Sequence, residues 1–334
     1  MSIGGSQFRV TALTCLVILA AGNLAVKRLT AHTVSRRVLD EARNATSASV
    51  VAIGNSLVRA GFVPEVFAPA QPSFSNTPKA VNLALGASSP VEQLQILREA
   101  FRSNSNPRLL IYGFYDFQLT DPVVFSNADI IGNRDILYYQ EPEFARGYFQ
   151  MTRHDSAAFE VMRRFPMLYE RSAVWAKVEL LRRYLGQQGM PAESRNQFGR
   201  TADFTLLEAK SREEFEQHCF RASQAELNAP VARMIGEAQA HSRGLRVVFI
   251  LMPLPPRHVE MFYDTEAWAG YQRHIEQLLR ARGVQYVDAS RWIPEADKFG
   301  DALHLSDRGA EEFTRRLLAE CAGPAWSNLC SVVR

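Results

Sequence analysis

Short apolar runs alternate with amphipathic stretches along the chain, and that alternation predicts a parallel α/β sheet. Residues 49–53 (SVVAI) form a β-branched run closed by Gly54, the pattern of a strand buried on both faces. Residues 108–112 (RLLIY), closed by Gly113, repeat it, as do residues 245–251 (LRVVFIL), stopped by Pro253, and the shorter 284–288 (VQYVD). Helical periodicity fills the gaps. Ser89-Pro90-Val91-Glu92 offers an N-cap, a proline in the first turn and an acidic third position, after which Val91, Leu94, Leu97 and Phe101 share one face. Val231, Met234, Ile235 and Ala238 repeat at helical spacing before the third run, and Ser306 can cap a helix whose inner face is Ala310, Phe313, Leu317 and Cys321. Strands alternating with such helices give a parallel sheet with helices on both faces, which binds ligands beyond the C-terminal ends of its strands.

Two segments break the pattern. Residues 10–26 (VTALTCLVILAAGNLAV) carry no charge over seventeen positions, the lower limit for a helix crossing a hydrocarbon layer of ~30 Å. Asn23 and Leu24 spoil the small-residue cleavage sites behind the run, so the expectation is an uncleaved anchor over residues 1–30, followed by a polar connector over 31–48. Lys27, Arg28, Arg36 and Arg37 lie behind the anchor against Arg9 before it, a bias that on its own would keep the body cytoplasmic. The second break is the stretch from about 117 to 223, rich in Phe, Tyr and Arg, with helices expected around 157–165 and 173–185. It is read as a mainly helical insertion, a lid or partner-binding cap within a domain spanning 49–334.

Composition narrows the classes. With 47% hydrophobic and 22% charged residues the chain is an ordinary globular protein. A net charge of +3 from 38 basic and 35 acidic residues, without a basic block, argues against nucleic acid as a partner. Cys15, Cys219, Cys321 and Cys330 lack zinc-type spacing, and no motif calls for a metal or a cofactor.

The chemistry lies at the two ends of the sheet region. In Gly54-Asn55-Ser56-Leu57 the serine follows the first strand directly, where its hydroxyl and its N–H are both exposed at a helix start. In Asp301-Ala302-Leu303-His304 the three-residue offset lets the carboxylate hold one ring nitrogen while the other faces a nucleophile. His258, two residues beyond Pro255-Pro256, is placed on a loop at the strand-end rim, with contact to substrate the lesser of its readings. His154-Asp155 and His218-Cys219 read as solvated helix faces.

These blocks resemble the SGNH/GDSL hydrolase superfamily. Gly54-Asn55-Ser56-Leu57 matches its first block with Asn in place of Asp, Asn82 and Gly86 match the second, and Asp301 and His304 match the last. The third block, G-x-N-D, appears as Gly113-Phe114-Tyr115-Asp116, so Tyr115 stands where the family has an amide. The resemblance covers 49–116 and 245–320. It implies Ser56 as nucleophile, His304 as general base and Asp301 as its orienter, with an oxyanion hole from Ser56, Gly86 and either Tyr115 or Asn82. It further implies a serine esterase or O-acyltransferase without a cofactor, held in the inner membrane by a single span with its domain in the periplasm or outside the cell. The substrate class would be acyl, chiefly acetyl, esters of cell-surface polysaccharide. An inactive SGNH-fold component of a polysaccharide assembly complex is the alternative that Tyr115 permits.

Overall fold

In the computed structural model, residues 5–29, 33–68, 79–104, 106–121, 143, 146, 151–165 and 211–322 are described. The chain divides into two compact units, Met1–Arg37 with Val124–Ala192, and Val38–Val123 with Glu193–Arg334.

The first unit begins with α1 (Gly5–Leu29). Its segment Arg9–Leu29 is long and apolar enough to cross a membrane, and Val10, Leu13, Leu16, Val17 and Ile18 are all exposed along it.

The second unit contains β1 (Val50–Gly54), β2 (Ala80–Asn82), β3 (Leu109–Phe114), β4 (Arg246–Leu251) and β5 (Gln285–Asp288). All pair in parallel in the order β2-β1-β3-β4-β5. Every residue of β1 and β3 is buried, which explains why both runs are apolar rather than alternating. Because β2 and β3 leave β1 in opposite directions, the chain has a switch point between the C-terminal ends of β1 and β3.

Around the sheet, α5 (Pro90–Ser103) and α3 (Ser56–Gly61) pack on β1, and α4 (Pro64–Phe67) packs on β2 and on the last helix. The capping expectation at Ser89 holds, since the Glu92 carboxylate accepts from both the Ser89 N–H and hydroxyl. Of the predicted apolar faces, Val91, Leu94 and Leu97 are buried with Phe101 half-buried, and Ala310, Phe313, Leu317 and Cys321 are all buried. The latter belong to the last helix, Asp307–Ala322.

Two boundaries differ from the sequence expectation. The polar connector expected over 31–48 contains α2 (Val34–Arg43), because Val38, Leu39 and Ala42 give it a buried face while Arg43 bonds the Glu99 carboxylate. Part of the expected 117–223 insertion belongs to the sheet unit. Phe117 and Leu119 are buried, and the helix Arg212–Ala222 buries Phe215 and Cys219, with Phe215 packed on Phe117, Phe262 and Trp268. Of the two helices expected within the insertion, the first is observed at Arg153–Arg164, capped by Thr152, and the second lies outside the described residues.

Candidate active site

The site forms at the switch point. Gly54 and Gly113 face each other on the last rung between β1 and β3. A Cβ on Gly54 would overlap Val58 and the Gly113 carbonyl, and one on Gly113 would overlap Val58 and Met252. That close approach seats the serine turn against the end of β3. Asn55 caps α3, its Oδ1 accepting the Leu57 N–H at 2.9 Å, so Ser56 becomes the first helical residue.

Ser56 Oγ lies 2.8 Å from His304 Nε2. On the other side of the ring, Nδ1 is 2.8 and 2.9 Å from the two Asp301 carboxylate oxygens. An ionised carboxylate only accepts, so Nδ1 carries the proton and Nε2 accepts from the serine hydroxyl. Asp301 Oδ1 also takes the backbone N–H groups of Leu303 and His304 at 2.8 and 2.7 Å. Burial works against this carboxylate, but the hydrogen bonds from the His304 ring and the two N–H groups outweigh it and hold its pKa below the ordinary value. The loop is itself braced, because Phe299 bridges Leu305 and Ser306 bonds the Lys298 carbonyl.

Beside Ser56 lies a cavity of about 390 Å³ whose wall includes Asn55, Ala87, Ser88, Tyr115, Asp116, Gln118 and Asp121. Pro90 and Phe117 add apolar surface to that wall, so polar and apolar groups share it. Gly86 is close, since a Cβ built on it would stand 4.0 Å from that of Ser56. Ala87 and Asp116 both have positive φ, 53° and 44°, conformations that side chains other than glycine enter at a cost and that cluster at functional sites. Burial, and then the Asp116 charge, push the Tyr115 hydroxyl up to about 12, so it stays a neutral donor.

Asn82 corrects the sequence expectation. Its Nδ2 donates to the carbonyls of Val58 and Phe62 at 3.0 and 2.8 Å, and its Oδ1 accepts the Ala84 N–H. The amide is spent tying α3 to the segment after β2, so it is not aimed at an oxyanion. His258 also differs. It is fully buried, and its Nε2 donates to Asp116 Oδ1 at 3.2 Å, so it supports the β3 loop from behind. His218 is no freely solvated residue either, because it stacks on Phe117 and bonds Asp121 at 2.6 Å.

Sequence reasoning missed two supports. Tyr263 grips Asp116 twice, its hydroxyl donating to Oδ1 at 2.8 Å while accepting the Asp116 N–H at 3.1 Å. It sits in a π-helical turn, Val259–Tyr263, a feature without a sequence signature. The second support is a set of amides around the fully buried Gln93, a residue type whose usual place is the surface.

No family model matches this sequence, and no curated protein does. Among solved structures, the chain is similar to a candidate acylhydrolase from Bacteroides fragilis NCTC 9343, with 11% identity over 90% of this chain and 97% of that one, at a TM-score of 0.39. It is also similar to a lipase/acylhydrolase from Enterococcus faecalis, with 11% identity over 82% and 95% of the two chains, at a TM-score of 0.34.

Proposed function

We propose that this protein is a serine ester hydrolase or O-acyltransferase of the SGNH type that works through an acyl-enzyme. The observation that carries this reading is the unbroken chain from the Ser56 hydroxyl through the His304 ring to the Asp301 carboxylate, each link at 2.8–2.9 Å. His304 Nε2 takes the Ser56 proton as Oγ attacks an ester carbonyl, and Asp301 stabilises the imidazolium that forms. The N–H groups of Ser56 and Gly86 and the neutral Tyr115 hydroxyl are the proposed donors to the tetrahedral oxyanion. His304 then protonates the departing alkoxide. Water or a sugar hydroxyl, deprotonated by the same ring, next attacks the acyl-serine and restores the free hydroxyl, so hydrolysis and transfer share every residue.

The hydroxyl, amide and carboxylate groups in the cavity wall can bond a hydroxyl-rich group, and Ala87, Pro90 and Phe117 leave room for its small acyl ester. With α1 as a single inner-membrane span and the sheet unit in the periplasm or outside the cell, acetylated cell-surface polysaccharide is the proposed substrate. The test is stoichiometric labelling of the detergent-solubilised full-length chain by a fluorophosphonate. Wild type labelled and Ser56→Ala unlabelled is the expected result; label that survives Ser56→Ala would sink the triad. Tyr115 in place of an amide favours a second reading, a non-catalytic component of a polysaccharide assembly complex, for which wild type would take no label.

A further inference from the structure

Behind the serine turn runs a chain of amides, buried at Asn55 and Gln93 and half-buried at Gln118, whose directions are dictated at both ends. At one end Asn55 must turn Oδ1 to the Leu57 N–H, a backbone donor, which leaves Nδ2 to donate to Gln118 Oε1 at 2.7 Å. At the other end Gln93 must turn Nε2 to the Ser88 carbonyl, a backbone acceptor, at 3.1 Å, and the same Nε2 also meets the Ser88 hydroxyl at 3.0 Å. That hydroxyl in turn donates to the Gly54 carbonyl, the last of β1. Gln93 Oε1 therefore faces inward, where it accepts from the Tyr112 hydroxyl at 2.5 Å and from Gln118 Nε2 at 3.3 Å. Gln118 has one orientation that serves both neighbours, with Oε1 toward Asn55 and Nε2 toward Gln93. Every amide in the chain is matched, and reversing any one sets oxygen against oxygen or nitrogen against nitrogen.

From this we infer that Asn55 and Gln118 are positioning residues for Ser56: the relay anchored on the Ser88 carbonyl fixes the serine turn, and it requires an amide at position 55. The inference rests on the proposed serine chemistry and explains why this chain carries Gly-Asn-Ser where the resemblance has Gly-Asp-Ser. An aspartate at 55 could still cap Leu57, but its second oxygen would oppose Gln118 Oε1. Turning Gln118 over would only move the mismatch to Gln93 Oε1. The aspartate fits when protonated, since its O–H can then donate where Nδ2 did.

The test is a double-mutant cycle on the full-length chain with Asn55→Asp and Gln118→Met, reading fluorophosphonate labelling rate, kcat and KM on 4-nitrophenyl acetate, and Tm at pH 8 and pH 5. Asn55→Asp alone should lower kcat and labelling roughly tenfold with KM little changed, the size of one mismatched buried hydrogen bond. In the Gln118→Met background the same change should cost clearly less, because the opposing oxygen is gone. The Tm deficit of Asn55→Asp should shrink between pH 8 and pH 5 as the carboxyl becomes protonated. Tyr115, Asp116, Asp121 and the Asp301–His304 pair are the other ionisable groups around the turn, and both proteins carry them. Additive effects, or an Asn55→Asp protein as active and stable as wild type at pH 8, would overturn the relay. If Asn55→Asp does not fold, Gln118→Met alone decides: reduced kcat at constant KM supports the positioning role and unchanged kcat refutes it. A wild type that takes no label defeats the hydrolase reading and the positioning role together, an outcome the wild-type arm identifies by itself.

Discussion

Tyr263 holds Asp116 at two points, accepting its backbone N–H and donating to its carboxylate, and so pins a left-handed residue immediately after Tyr115. The strained loop at the end of β3 is therefore held from the β4 side, by Tyr263 and by the buried His258. Tyr263→Phe removes both bonds without changing the ring packing against Trp268, whose centroid is 3.8 Å away. It should cost ~1–3 kcal/mol of stability, because a buried N–H and a carboxylate each lose a partner. Chemical denaturation of the two proteins measures it, and a difference below ~0.5 kcal/mol would show that the grip does not matter.

Ser56 and His304 act as one unit in the proposed mechanism, so Ser56→Ala and His304→Ala should each abolish turnover of 4-nitrophenyl acetate to a similar extent. Asp301→Asn should retain more activity than either, since the carboxylate orients and stabilises the ring without exchanging protons with substrate. Equal loss in all three variants would instead mean that the Asp301 loop collapses when its charge is removed.

Tyr115 discriminates between the catalytic and the scaffold readings. If its neutral hydroxyl supplies an oxyanion bond, Tyr115→Phe should reduce kcat by ~10²-fold with little change in KM. Tyr115→Asn should keep or raise activity. An inactive wild type that gains activity as Tyr115→Asn favours the scaffold.

The lowered pKa of Asp301 carries a pH signature. A carboxylate whose folded pKa is depressed contributes stability that is fully present above its unfolded value, near 3.8, and is lost as pH falls through the lower folded one. The Tm advantage of wild type over Asp301→Asn should thus shrink as pH falls below about 4. A gap that stays constant or widens below about pH 4 contradicts the hydrogen-bonded carboxylate seen here.

Gly113→Ala tests the last rung of the sheet. The added methyl would overlap Val58 and Met252, both packed beneath the serine turn. Overpacking of this kind costs ~1–3 kcal/mol, and the label on Ser56 should slow as the turn shifts. Thermal melts and labelling rates measured together check both effects, and a variant with wild-type values in each would leave the close approach without consequence.

The sheet was legible because strands buried on both faces must be apolar throughout, and residues 50–54, 109–114 and 246–251 leave little room for another reading. The placing of Ser56, Asp301 and His304 followed from short-range spacing at strand and helix ends. Asn82 was misjudged because an Asn-to-Gly spacing does not reveal which way the amide turns, and the carbonyls at the end of α3 capture it. Helix α2 was hidden by its arginines and acids, which outnumber the three apolar residues that seat it. Gln93, Gln118 and Tyr263 left no trace in the pattern, since their partners are distant in sequence and a polar residue's burial depends on those partners alone.

The switch point between β1 and β3 has a consequence for how this protein can change over time. Reactive groups sit on the tips of segments leaving the sheet, while the rungs below supply cohesion, so the crevice exists by strand order and not by omission of core atoms. Replacing a tip residue therefore removes chemistry without opening a void. Inactive descendants of such a protein would remain well folded, and a lineage could lose its reaction and keep the scaffold for a new role.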